Sequence, residues 1–425
     1  MQRTLVRILL AVAVLSLAAV AAVAWLGLRE DASHPAGSMA ELTAQTVERG
    51  AYLARAGNCM GCHTARGGQP YAGGRAIVTP FGTIYASNLT PDKETGIGSW
   101  SADDFWRALH NGKGKDGKLL YPAFPFPNYS KVTREDSDAL YAYLRSIEPI
   151  RRANRDPELD FPFNQRWLLV GWRALYFRPE VYRSDPAQDV QWNRGAYLVQ
   201  GLGHCSACHT ARNVLGAQSE ALDGGIIPML NWYATSLTGE HGARSWQPPE
   251  LVAFMKTGVS TKGAASGPMA EVVRESLQHL SNEDLGAMAS YIRSLPQDSQ
   301  RAPAQDMPGP EYDRMLKAGA ALYEKHCVDC HKADGSGDAP HFPPLAGNPS
   351  LLVASPVNSI RLLLHGGYPP STAGNPYPYG MPPFGNLLTD EEAAAVLTYV
   401  RNAWGNKAAP VSSDQINPLR PVMID

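Results

Sequence analysis

Apolar positions follow two different patterns along this chain of 425 residues. The first is a single run, ILLAVAVLSLAAVAAVAWLGL (Ile8–Leu28), 21 residues without a charge. As a helix it would be about 31 Å long at 1.5 Å per residue, enough to span a bilayer. In the rest of the chain apolar residues recur at helical spacing in short stretches divided by Gly- and Pro-rich loops. Alternating β-branched runs are few, so strands are expected to be scarce.

These helical stretches repeat. Arg49-Gly-Ala-Tyr-Leu53 recurs as Arg194-Gly-Ala-Tyr-Leu198 and, more loosely, as Gly319-Ala-Ala-Leu-Tyr323. Each reads as a leading helix. A closing helix is predicted further on in each repeat, over 137–146, 284–294 and 391–402, with Tyr143, Tyr291 and Tyr399 aligned. Small residues on one helix facing an aromatic on the other suit a close crossing. Ser137 with Asp138, Ser281 with Asn282 and Glu283, and Thr389 with Asp390 supply helix-start chemistry.

The predicted fold is mainly α: three tandem helical domains after an N-terminal membrane helix. The expected divisions are 1–30 for the membrane segment, 45–150 for domain 1, 151–190 for a linker or docking segment, 191–296 for domain 2, 312–405 for domain 3 and 406–425 for a tail. The linker contains WLLVGWRALYF (167–177), too short to span a membrane. It is expected either to pack on its neighbouring domain or to dock a partner or lipid. The connector 297–311 is polar and contains proline, and the tail has no hydrophobic run.

Composition removes one class of partner. Net charge is −2 and no Lys/Arg block occurs, so no nucleic-acid partner is expected.

The six cysteines change the picture most. All fall in Cys59-Met-Gly-Cys62-His63, Cys205-Ser-Ala-Cys208-His209 and Cys327-Val-Asp-Cys330-His331. A disulfide framework, a zinc site or a redox Cys-x-x-Cys would explain one such motif, but none of them requires a histidine after every second cysteine. Covalent c-type haem does: two thiols meet the porphyrin vinyl groups and the next residue presents an imidazole to the iron. Three covalently bound haem c groups are expected, with His63, His209 and His331 as proximal ligands, which makes the three predicted helical domains tandem class I cytochrome c domains.

A second axial ligand is sought at matching offsets. Met269 lies 64 residues past Cys205 and Met381 lies 54 past Cys327, both in Gly/Pro loops. They are expected to complete those two irons, whereas Met255 and Met288 fall in helical patterns and are read as core. In the first repeat the offset of 65 lands on Phe124, in KLLYPAFPFPNY. Phenylalanine has no lone pair for iron. Haem 1 is therefore five-coordinate or held by another side chain, for which His110, Tyr121 and Tyr129 are the candidates. His204 and His326 directly precede haem cysteines and are read as packing or hydrogen-bonding residues.

Taken together, these residues resemble the triheme cytochrome c subunits of bacterial membrane-bound periplasmic dehydrogenases, a family tied to quinoprotein alcohol, flavoprotein gluconate and molybdenum hydroxylase enzymes. The carriers are the RGAYL helices, the CxxCHTAR extensions (59–66 and 205–212), SNLTPDKETGIGSW (87–100), LYPAFPFPNYSKVTRED (120–136), AASGPMAEVV (264–273) and GMPPF (380–384). The resemblance implies an electron-transfer subunit that takes electrons from a periplasmic catalytic subunit of molybdenum, PQQ or flavin type and passes them to ubiquinone or a terminal oxidase. In the alcohol and gluconate members a methionine stands where this chain has Phe124. The phenylalanine form and RALYFRP (173–179) look like the cytochromes of molybdenum hydroxylases acting on aldehydes or N-heterocycles.

A substrate-oxidising role is not expected, because no Rossmann-type glycine fingerprint follows a strand. A reading of another class, a haem enzyme using an open-coordinate haem 1, needs a distal acid–base residue, and none stands near Phe124. The N-terminal run is read as an uncleaved anchor: Arg3 and Arg7 precede it, Trp25 sits at its outer end, and it exceeds the usual length of a secretory apolar region. That places the chain in the bacterial inner membrane with its haem domains in the periplasm. A cleaved signal is the alternative.

Overall fold

The computed structural model describes residues 2–30, 42–238, 242–243, 246–296 and 309–421. The described chain is mainly helical. Strands are short: one three-stranded antiparallel sheet (Ala76–Thr79, Gly82–Tyr85, Glu158–Leu159) and two hairpins, Gly225–Ile227 with Trp232–Ala234 and Val259–Ser260 with Gly263–Ala264. The chain forms two compact units: Met1–Ala54 with Cys62–Arg183 and Arg212–Ala217, and Arg55–Gly61 with Ser184–Ala211 and Gln218–Asp425.

The paired helices of the repeats are present. The leading helices are Ala44–Ala56, Val190–Tyr197 and Pro310–His326, and the closing helices are Arg134–Ser146, Asn282–Ser294 and Asp390–Val400. One glycine sits at each crossing. A Cβ built on Gly50 would lie 1.9 Å from the Ala139 carbonyl oxygen, on Gly195 2.0 Å from that of Ala287, and on Gly319 2.2 Å from that of Ala395. The Cβ of the aligned tyrosine, Tyr143, Tyr291 or Tyr399, stands close behind as a further obstacle. The small residue and the aromatic meet as the sequence pattern predicts.

In the first two repeats the arginine before that glycine reaches the acid three residues before the facing alanine. Arg49 Nε and Nη2 donate to Asp136 Oδ1 at 2.9 and 2.6 Å, and Arg194 makes a two-point pair with Asp284 at 2.7 Å for each bond. The third repeat has Ala318 at the arginine position. There the equivalent acid, Glu392, turns back to close a capping box on Thr389. The first closing helix starts earlier than expected: its N-cap is Thr133, whose hydroxyl accepts from the Asp136 amide, and Ser137 and Asp138 lie inside it.

The first unit carries the N-terminal helix Gln2–Leu28, exposed along nearly all its length, with Gly27 its one buried residue. Gly27 meets the linker helix Leu168–Tyr176, where a Cβ would lie 2.0 Å from the Val170 carbonyl oxygen. Arg173 of that helix is 1 % exposed. Its Nε donates to Gly27 O at 2.7 Å and its Nη1 to Asn111 O at 2.6 Å. The guanidinium lies over the Phe177 and Phe126 rings, at 4.6 and 5.7 Å. Burial lowers its pKa to about 10. Lys113 Nζ reaches Leu28 O at 2.9 Å and the Glu30 carboxylate at 2.5 Å.

The second unit holds the second and third repeats in direct contact. The Asn358 side chain accepts from Tyr233 N and donates to Tyr233 O, each at 2.8 Å. Arg361, 2 % exposed, lies 4.9 Å over the Trp232 ring. Residues 406–421 are not loose. Val411 and Ile416 belong to the apolar cluster that includes Ile360, Leu363 and Leu397, and Arg420 pairs with Asp390. Ile416 is fully buried, so Ile416→Ala is expected to cost about 2–5 kcal/mol, read as a lower denaturation midpoint of this module. An unchanged midpoint would show the segment to be dispensable. Residues 297–308 of the connector lie outside the described residues.

Candidate haem attachment sites

Each Cys-x-x-Cys-His forms about one turn of helix: Cys59–His63, Ser206–His209 and Val328–His331. Successive cysteines three residues apart, with the histidine one further, then share one face. In the second and third sites the turn is closed by the histidine amide, which donates to Cys205 O at 2.8 Å and to Cys327 O at 2.9 Å.

Two hydrogen bonds hold the histidine of each motif. The backbone carbonyls of His63, His209 and His331 accept from Gly73, Gly224 and Gly337, at 2.7, 2.8 and 3.1 Å. All three glycines have left-handed φ, +73°, +84° and +64°, a region where a side chain is strained. A Cβ there would also strike backbone: Ser87 C at 2.5 Å, Ser236 N at 2.7 Å and Phe342 O at 2.4 Å. The second bond comes from the ring: Nδ1 faces Ser87 O at 2.7 Å, Thr235 O at 2.7 Å and Pro343 O at 3.0 Å. A carbonyl can only accept, so Nδ1 carries the proton and Nε2 is left as the electron-pair donor. Burial lowers the pKa of all three imidazoles, against a smaller opposing effect of the carbonyl. Neutral imidazole with a basic Nε2 is the form iron requires.

At Cys205 and Cys327 the environment favours a thiol over a thiolate. All six are among the described residues and form no disulfide. Burial, with the neighbouring cysteine adding to it, pushes Cys205 up to about 12 and Cys327 up to about 11. A reactive redox pair calls for the opposite shift. Among the described residues no three or more His, Cys, Asp and Glu side chains converge as a bare-ion site. The residues therefore fit covalent haem: a cysteine pair for thioether formation on the same helical face as a fixed neutral imidazole.

The axial candidates stand in unlike settings. Met381, half-buried, forms an isolated two-way bridge with Gly367, with Met381 N donating to Gly367 O at 2.8 Å and the reverse bond at 3.0 Å. Gly366 beside it, φ +72°, admits no Cβ because Met381 O would be 2.4 Å away. Met269 departs from its expected loop and lies in the first turn of the helix Gly267–Glu275, beside Pro268 in that turn. Gly267 packs on the Trp232 indole, 2.5 Å from where a Cβ would be. Met255 and Met288 are 5 % and 2 % exposed, core residues as the helical pattern indicates.

Phe124 occupies a turn, accepting through its carbonyl from Phe126 N at 2.7 Å, and its ring packs on Tyr129 at 5.3 Å. His110, the histidine among those candidates, is fully enclosed. It is 0 % exposed, stacked on Trp106 at 4.4 Å, with Nδ1 2.7 Å from Ser130 O. The proximal histidines are less enclosed. Tyr121 donates to Phe163 O at 3.2 Å, and Tyr129 is buried. His204 has its Nδ1 3.1 Å from Leu202 O, and burial lowers its pKa; His326 packs edge-on against Phe384. Both fill the packing role expected of them.

The glycine clamp and the Arg–Asp pairs escaped sequence reading. The signal existed in Ala72-Gly73-Gly74 and Asp223-Gly224-Gly225 after two of the motifs, and in the repeated arginine of RGAYL.

A family model described as cytochrome c matches residues 47–148 and 316–404. The chain is 41% identical over 400 residues to the gluconate 2-dehydrogenase cytochrome c subunit of Pantoea cypripedii, covering 88% of this chain and 89% of that one. It is 39% identical over 399 residues to the alcohol dehydrogenase (quinone) cytochrome c subunit of Gluconobacter oxydans, covering 88% and 82%. It is also 40% identical over 395 residues to a nicotinate dehydrogenase subunit of Pseudomonas putida, covering 88% of this chain and 32% of that longer one.

Proposed function

Because the chain belongs to the cytochrome c subunits of dehydrogenase complexes, we propose that it carries three haem c groups, one on each Cys-x-x-Cys-His, and relays electrons from a molybdenum hydroxylase subunit to ubiquinone or a terminal oxidase. Its role as an electron-transfer subunit follows from the family. The observation that carries the count of three is the clamp, since all three histidines are held by a left-handed glycine amide and a ring-to-carbonyl bond.

Bound haem supplies reversible one-electron exchange at its iron. The chain's own residues do the rest: the cysteine pairs fasten each porphyrin, the carbonyl at Nδ1 fixes tautomer and ring orientation, and Met269 and Met381 offer thioethers that favour reduced iron. The retained N-terminal helix keeps the chain at the periplasmic face of the inner membrane. Support for retention comes from the fold itself, because Arg173 and Lys113 spend hydrogen bonds on the backbone of Gly27 and Leu28.

Phe124 and the RALYFRP stretch favour a molybdenum partner that oxidises aldehydes or N-heterocycles. Relatives named for gluconate, quinone-type alcohol and nicotinate dehydrogenases stand at similar identity, so a PQQ or flavin partner is the competing reading. Purifying the complex from solubilised membranes through this chain and assaying molybdenum, PQQ and flavin decides between them. Molybdenum is expected, and PQQ or flavin in its place removes the molybdenum assignment.

Phe124 has no lone pair to offer haem 1, and we read His110, stacked on Trp106 in the core, as a packing residue. The holoprotein is therefore expected to bind carbon monoxide at one haem in three after reduction, and Phe124→Met to lower that stoichiometry. Wild-type protein that binds none would show a replacement ligand in place.

A further inference from the structure

We propose that the linker helix Leu168–Tyr176, with the loop before it and the turn at Val214–Leu215, forms an apolar collar that seats the first unit on the lipid surface where the N-terminal helix leaves the bilayer. This rests on the reading of that helix as a retained anchor. Helices that seat on a bilayer surface present large apolar side chains outward instead of to a core. Here Trp167 is 69% exposed, Leu175 72%, Phe161 79% and Val214 92%.

These side chains belong to one connected patch. Trp172 donates through its indole N–H to Leu215 O at 3.0 Å. Phe163 packs on Phe81 at 4.5 Å, and Phe81 lies 3.0 Å from where a Cβ on Gly216 would be. The loop and the turn therefore flank the same helix.

The occupant follows from continuity. The linker helix touches the last turn of the N-terminal helix at Gly27, with no room for a side chain between them. Arg173, Lys113 and Arg29 tie residues 27–30 to the first unit, the last through Arg29 Nη2 to Phe177 O at 2.8 Å. The collar thus begins at the point where the apolar run ends and cannot swing away from it. Trp167 and Tyr176 are the side chains favoured at the headgroup level, and the exposed Arg178 matches anionic headgroups.

The test uses full-length holoprotein in nanodiscs of phosphatidylcholine and phosphatidylglycerol. Trp167→Cys, Leu175→Cys and Val214→Cys are each spin-labelled, the native cysteines being consumed by haem, and their accessibility to oxygen and to a water-soluble nickel chelate is measured. Val190→Cys, at an exposed apolar residue outside the patch, serves as the aqueous reference, and Leu15→Cys reports the anchor. A nickel-to-oxygen ratio several-fold below that of Val190 at the three collar positions is the expected result. Collar labels as nickel-accessible as Val190, with Leu15 still protected, overturn the collar and leave the anchor intact. Protection that appears only on adding the dehydrogenase partner also overturns it, making the patch a protein interface. Loss of residue 15 from the mature chain, seen by intact mass, removes the anchor reading itself.

Discussion

Gly195→Leu will strip the second module of its haem and shift its unfolding to lower denaturant. The leading and closing helices cross so closely that even a Cβ would stand 2.0 Å from the Ala287 carbonyl oxygen and 2.9 Å from the Tyr291 Cβ. Neither obstacle is the flexible end of a side chain, so the helices must separate. Overpacking of this kind costs about 1–3 kcal/mol for added methylenes, and leucine at a backbone contact belongs at or above the upper end. The separation would also disturb the Arg194–Asp284 pair one residue away. Gly286 is the control. Its Cβ would meet only the Gln191 side chain, at 3.7 Å, so Gly286→Ala should stabilise by about 0.5–1 kcal/mol through helix propensity. Haem content and a urea midpoint measured on both variants check the claim. Equal behaviour of the two would mean that the crossing glycine is not required.

Met381→Leu is expected to lower the potential of haem 3 by a large part of the roughly 0.8 V that axial ligands span, while the fold stays intact. Leucine preserves the apolar contact Met381 makes with the core of the third module, and such swaps usually cost less than about 1.5 kcal/mol. What is lost is the thioether, which favours the reduced iron. A spectroscopic redox titration should show one of three components moving down, and Met269→Leu should move a different one. Unchanged titration curves would assign both methionines to packing alone.

The repeated chemistry is legible in the sequence because it is written in fixed local spacings. Cys-x-x-Cys-His fits in one helical turn, and the glycine of RGAYL with its partner tyrosine is a pattern of small and large residues. What escapes depends on contacts far apart in the chain. Arg49 and Asp136 are separated by 87 residues, and nothing local tells their side chains to meet. Arg173 reads as one basic residue in an apolar helix, yet its partners are carbonyls of Gly27 and Asn111. Met269 reads as a loop residue because proline and glycine surround it. Pro268 is equally at home at the start of a helix, where its missing N–H is not needed. In the last segment two apolar residues, Val411 and Ile416, suffice to bind it to the core, too few to register as a hydrophobic run.

The Asn358 amide meets Tyr233 entirely through main-chain atoms. It thereby supplies to the edge of the hairpin strand Trp232–Ala234 the donor and acceptor that another strand would offer. Such a joint places unequal constraints on its two partners during divergence. Position 233 is free to drift among side chains that tolerate a strand, since neither hydrogen bond involves the side chain. Position 358 has no such freedom: aspartate lacks the donor, leucine lacks both groups, and glutamine carries them one carbon too far. Across descendants of this chain the second and third modules should therefore keep their register through one immobile asparagine, while the residue it grips changes identity.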